Sequence, residues 1–205
     1  MGICSVQIKV NKLNNVMIDI ETLSNKRNAV ICSIAAAFFE PSSGEVGSTF
    51  YERIDWENDC VENGAHIEPD NVKFWLSQSS EARVELLDPD GLGELADIVL
   101  QNLRDFIEKH QRKGCQLYAW AKSPSFDFVI LREAFERYKL GGMPWKYWSE
   151  RDVRTMEAIG KMNSIILPYT KQDVTHHAMS DVMGQISNVC AVTQKISLAL
   201  DEIKE

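Results

Sequence analysis

The chain has 205 residues, 44% of them hydrophobic, and 22 Lys and Arg against 30 Asp and Glu give a formal net charge of −8. That length suits a single domain over 1–205 with a substantial core, and the balanced composition excludes a fibrous, low-complexity or disordered chain. The acidic balance argues against a passive nucleic-acid binder, which works by neutralising phosphates, and much less against an enzyme whose acids hold a cation.

The first predicted element is a strand over Asn15–Leu23, Asn-Val-Met-Ile-Asp-Ile-Glu-Thr-Leu. Val16, Met17, Ile18 and Ile20 make a short apolar run, and Asp19 and Glu21 interrupt it at a spacing of two. Side chains alternate along a strand, so both carboxylates point to the same face. Held that close they repel, and burying them is costly unless a hard divalent cation such as Mg²⁺ compensates. The alternative is an edge strand whose acids face water. Ala29–Phe39 is the second predicted strand and Ser48–Ile54 the third, with a Pro41-Ser-Ser-Gly44 turn between them. Three strands before any helix suggest an antiparallel meander.

Helical signals follow. Pro69 suits a helix start, with Val72, Trp75 and Leu76 on one face. Leu92–His110 repeats Leu95, Ile98, Val99, Leu103, Phe106 and Ile107 at three- and four-residue steps, and Gly114 stops it. Gln116–Trp120 reads as a short strand, Phe126–Tyr138 as an amphipathic helix, Tyr147-Trp148 as part of a last strand, and Val153–Ile159 as a short helix. A final helix runs from about His176 to Leu200, with Val182, Met183, Ile186, Val189 and Ile196 as its buried stripe. This order predicts an α/β fold, a mixed sheet with helices packed against it. No window reaches the roughly 18 unbroken apolar residues of a membrane span, and the N-terminal residues lack a secretory pattern. The five cysteines are scattered, odd in number and without a Cys-x-x-Cys pair, which points to reduced thiols in a cytoplasmic protein.

Two further acids stand out. Asp127 falls in the first turn of its helix, after a Ser123-Pro124-Ser125 turn that offers an N-cap. An acid there is favoured by the helix dipole alone, and it would also reach the end of the sheet where α/β active sites gather. Asp181 follows His176 and His177 at the start of the last helix. Asp152 reads as a helix cap.

Asp-Ile-Glu-Thr-Leu, Ser-Phe-Asp-Phe-Val-Ile-Leu and His-His-Ala-Met-Ser-Asp together resemble the three motifs of the DEDDh 3′–5′ exonucleases of the ribonuclease-H-like superfamily. The separations of 106 residues (Glu21 to Asp127) and 54 residues (Asp127 to Asp181) suit it. Trp75-x-x-Gln78-x-x-x-Ala82-Arg83 resembles the phage and bacterial branch that includes RNase AS-type exoribonucleases. The resemblance implies a ribonuclease-H-like mixed five-stranded sheet that begins with an antiparallel meander and is flanked by helices. It implies two Mg²⁺ or Mn²⁺ ions on Asp19, Glu21, Asp127 and Asp181, with His176 as general base in preference to His177. The expected reaction releases nucleoside 5′-monophosphates from a single-stranded DNA or RNA 3′ end, and the family suggests a homodimer.

Candidate substrate contacts are the backbone at Thr22 and Leu23, the side chains of Gln78, Arg83 and Lys122, and the rings of Trp75, Trp120 and Phe128. Ring stacking suits single strands, although core packing accounts equally well for a tryptophan. A non-catalytic nucleic-acid-binding module and a ribonuclease-H-like endonuclease are the competing readings. The four acids with His176 argue against the first, and the second would not require a histidine five residues before the last acid.

Overall fold

The computed structural model describes residues 13–57, 63–87, 91, 93–170 and 176–202. Five strands, β1 (Asn15–Thr22), β2 (Ile31–Phe39), β3 (Val46–Arg53), β4 (Tyr118–Ala121) and β5 (Glu150–Asp152), form one sheet in the order β3-β2-β1-β4-β5. The first three strands are an antiparallel meander, while β4 runs parallel to β1 and β5 parallel to β4. The helices are α1 (Pro69–Leu76), the short α2 (Val84–Leu87), α3 (Ala96–His110), α4 (Asp127–Arg137), α5 (Val153–Met162) and α6 (Ala178–Glu202). This is the mixed five-stranded α/β architecture of the ribonuclease-H-like fold.

Strand alternation sorts β1 between two cores. Val16, Ile18 and Ile20 face Val99, Leu103 and Ile107 of α3 and Phe128, Leu131 and Phe135 of α4. Met17 faces the other way, with Ala35, Ala37, Phe39 and Trp120, and is covered by Val182, Ile186 and Val189 of α6. Each such fully buried aliphatic side chain contributes roughly 1.5–3 kcal/mol. Asp19 and Glu21 share the parity of Met17, so both acids are aimed at the side of the sheet that α6 covers. The β1–β2 register shifts between Glu21 and Thr22, and such an irregularity re-aims the side chains at the strand's end. A third cluster of Leu23, Val30, Cys32, Ala65, Trp75, Ala82 and Leu86 ties the segment between β3 and α3 to the end of β1.

Several sequence expectations shift in the structure. The second strand starts at Ile31, because Ala29 instead bridges to His66. The third covers Val46–Arg53. The helix read from Leu92 begins at Ala96, and Leu92 itself lies outside the described residues. Its buried stripe is Ala96, Val99, Leu100, Leu103 and Ile107, while Ile98 is turned outward. In α1 the inward residue is Trp75, and Leu76 is exposed. Tyr147-Trp148 is not strand but the start of a 3₁₀ turn (Tyr147–Ser149). Both rings are exposed, and sheet pairing begins only at Glu150, opposite Ala119. The last helix begins at Ala178, and Met183 faces solvent instead of joining its buried stripe. Asp152 caps α5 as expected, accepting a 2.9 Å hydrogen bond from the Arg154 N–H. No helix among the described residues is long and apolar enough to cross a membrane.

Candidate active site

Three elements converge at the C-terminal end of β1. The strand supplies Asp19 and Glu21, the first turn of α4 supplies Asp127, and the first turn of α6 supplies Asp181. Ligand atoms of Glu21, His176 and Asp181 lie within 4.8 Å of one another. His176 stands two residues before α6 at φ 51°, a left-handed conformation uncommon outside glycine and frequent at functional sites. Its ring meets Phe74 edge-to-face at 4.9 Å and Trp75 at 6.2 Å. His177 points elsewhere, its ring stacked on Tyr51 at 5.2 Å. Among the described residues, His176 and not His177 is the histidine grouped with these acids.

Asp19 is joined to this group through α6, because Gln185 Nε2 donates to Asp19 Oδ1 at 2.8 Å. Gln185 lies one turn beyond Asp181, so one helical face addresses both the strand acid and the cluster. The phenol of Tyr169 donates a short hydrogen bond to Asp181 Oδ1.

Asp127 is only 3% exposed. Burial pushes its carboxyl up to about 7, although its own backbone N–H and that of Ile20 draw it back, as does the charge of Arg154. The contact with Ile20, between Asp19 and Glu21, places the α4 acid against the acidic end of β1. That end is open because β4 pairs with β1 only through Met17. Asp127 Oδ2 is buried with no hydrogen-bond partner. An orphaned buried carboxylate oxygen at the strand end that carries two further acids fits a divalent cation, since hard cations take carboxylate ligands and oppose the repulsion that gathering them creates.

The remaining sequence candidates divide. Gln78 lines a cleft of about 550 Å³ together with Ser79, Glu81, Ala82, His176, His177 and Ser180. Thr22 and Leu23 are buried at the rim of the site. Their backbones are spoken for: the Thr22 carbonyl accepts from the Trp75 indole at 2.9 Å, and Leu23 exchanges backbone bonds with Val30 and Glu68. Trp75 (1% exposed) and Phe128 (0%) are core residues with no ring face free for a base, the first filling the third cluster and the second packing on Trp145. Trp120 is buried likewise, with its N–H on Asn15 Oδ1. Arg83 donates to the Leu76 carbonyl at 3.2 Å, and Lys122 to Glu157 at 2.6 Å.

Sequence reasoning missed Phe74, Gln185 and Tyr169. Phe74 is 41% exposed beside His176, so the aromatic ring it expected of Trp75 is presented by the preceding residue.

The fold and the converging acids with a histidine define an exonuclease of the DEDDh type within the ribonuclease-H-like superfamily. Residues 14–193 match the family described as the 3′–5′ exoribonuclease Rv2179c-like domain. The chain belongs to that family and is a 3′–5′ exonuclease. It is 26% identical over 194 residues to an exodeoxyribonuclease of Enterobacteria phage T4, covering 83% of this chain and 85% of the phage protein. A crystal structure of E. coli exonuclease I with a dT13 oligonucleotide superposes with a TM-score of 0.62 at 16% identity, covering 92% of this chain. A zinc-bound form of the E. coli exonuclease I complex with single-stranded DNA gives 0.64. A moderately thermophilic exonuclease I from Methylocaldum szegediense gives 0.60 at 11% identity. The present chain spans only 42% of the length of each of these three structures.

Proposed function

We propose that the protein shortens single-stranded DNA or RNA from the 3′ end, releasing nucleoside 5′-monophosphates with the aid of two divalent cations, Mg²⁺ or Mn²⁺. The observation that carries this reading is the grouping of Glu21, His176 and Asp181 within 4.8 Å, with Asp19 on the same face of β1 and held by Gln185 of α6, and Asp127 at the backbone of Ile20 between the two strand acids. Asp19, Glu21, Asp127 and Asp181 would hold the ions. When bound, divalent cations make water a stronger acid at neutral pH and neutralise charge on a phosphodiester and its leaving oxygen.

The chain's own residues do the rest. His176 is the general base that accepts the proton of the attacking water at an imidazole nitrogen. Phe74, exposed next to it, offers a ring on which a terminal base can stack, and stacking tolerates any base. The cleft lined by Gln78, Ser79 and Ser180 leads away from His176 and offers amide and hydroxyl groups to a sugar or phosphate. The buried thiol of Cys190, which is in no disulfide, is in keeping with a reducing, cytoplasmic setting.

The test uses 5′-labelled single strands of DNA and RNA with Mn²⁺, with EDTA, and with Asp19→Ala. The expected result is a ladder shortening one nucleotide at a time from the 3′ end, lost with EDTA and with the variant, and the strand degraded faster names the substrate. Internal cuts in a circular single strand would replace this reading with an endonuclease.

A further inference from the structure

We propose that Tyr169 is a positioning residue that fixes the Asp181 carboxylate for cation binding, an inference that rests on the metal-holding role proposed above for Asp181. The phenol donates to Asp181 Oδ1, so that oxygen is committed and the carboxylate cannot swing freely about its bond to the helix. Tyr169 itself is held on both sides of its backbone. Its N–H donates to Asn188 Oδ1 at 2.9 Å, and its carbonyl accepts from Asn188 Nδ2 at 2.8 Å. Asn188 is 1% exposed and also donates to Glu157 Oε1 at 2.9 Å, the atom that receives the Lys122 ammonium at 2.6 Å. Buried polar groups joined this way in a low dielectric hold one arrangement firmly.

The helix surface is shaped for the ring. A Cβ at Gly184 would overlap the Tyr169 ring atoms, so only glycine there lets the phenol lie flat against α6 and reach back to Asp181. Asp181, Gly184, Gln185 and Asn188 occupy one face of α6 at three- and four-residue steps. Three of them bear on the orientation of an acid: Gly184 and Asn188 seat Tyr169 on Asp181, and Gln185 holds Asp19. Outer partners of this kind set the direction in which a ligand presents its lone pairs.

The experiment is a Mn²⁺ titration of the full chain without nucleic acid, read by the electron paramagnetic resonance of free Mn²⁺. Wild type is compared with Tyr169→Phe, Gly184→Ala and Asp19→Asn, each checked by thermal melting. Tyr169→Phe keeps the ring and removes only the hydroxyl, and its uptake is expected to weaken about tenfold at an unchanged melting temperature. Gly184→Ala keeps the hydroxyl but displaces it, and is expected to weaken uptake similarly. Uptake by Tyr169→Phe that matches wild type, in a protein whose uptake Asp19→Asn abolishes, overturns the positioning role alone. A wild-type protein that takes up no Mn²⁺ overturns the metal site itself, and this role with it.

Discussion

Gln185 of α6 donates a 2.8 Å hydrogen bond to Asp19 of β1 across 166 residues of sequence. This bond ties the helix that carries Asp181 to the strand that carries Glu21, and it points the Asp19 carboxylate. Replacing Gln185 by Leu keeps much of its volume but removes the donor. Activity is expected to fall about 10- to 100-fold, the range for loss of an outer partner of a metal ligand. Steady-state rates on a single-stranded substrate at saturating Mn²⁺ and at limiting Mn²⁺ check this, and the deficit should be larger at limiting metal.

Asp127 gives the metal-free protein a distinctive pH dependence. Burial raises its folded-state carboxyl from 3.8 to about 7. Between those values the unfolded chain has released the proton and the folded chain still holds it, so stability falls as pH rises through this window and levels off above about 7. Asp127→Asn cannot ionise and removes this slope. Melting in EDTA from pH 4 to pH 8 is expected to show a wild-type decline that Asp127→Asn lacks, with the variant the more stable of the two at pH 8. Mn²⁺ should restore wild type but not the variant.

Phe74 and Trp75 are neighbours with opposite duties. Phe74→Ala is expected to raise KM for single strands with little change in melting temperature, because stacking on one base is worth about 1–3 kcal/mol and the ring is already 41% exposed. Trp75→Ala empties a position only 1% exposed and removes the donor to the Thr22 carbonyl. It should cost about 3–5 kcal/mol of stability. Initial rates and thermal melts on both variants separate the two; a KM effect confined to Trp75→Ala would reverse the assignment.

The cysteines are expected to differ sharply in reactivity. Burial and the nearby Glu40 charge push the Cys190 thiol up to about 11, so almost none is thiolate at pH 8. Cys115 is exposed. Brief treatment of the native protein with iodoacetamide, followed by peptide mapping, should label Cys115 and leave Cys190 and the buried Cys32 unlabelled until denaturant is added.

The strands and the placement of the candidate acids were legible because each is a local pattern: an apolar run, a spacing of two, an acid in a first helical turn. The sheet face chosen by Asp19 and Glu21 follows from alternation alone. The orienting residues are not local. Nothing around Gln185 or Tyr169 distinguishes them from ordinary surface polar residues until the fold brings them to Asp19 and Asp181. The Phe74 and Trp75 exchange has another origin. Successive helical residues differ by roughly 100° in direction, and which of two adjacent aromatics turns inward depends on the cluster of Leu23, Val30 and Cys32 waiting beneath. The boundary at Tyr147-Trp148 was misread because aromatic residues favour strands on average, whereas pairing with β4 decides where this one begins.

The stretch of α6 from Asp181 to Asn188 has a length as constrained as its chemistry. Inserting one residue between Asp181 and Gln185 would turn everything beyond it by roughly 100°, taking Gln185 away from Asp19 and Asn188 away from Tyr169 together. Were the apolar stripe beyond the insertion to settle back on the sheet, the same rotation would fall on Asp181 instead. Substitutions along this segment can therefore wear the centre down one residue at a time, while a change of length would undo it in a single event.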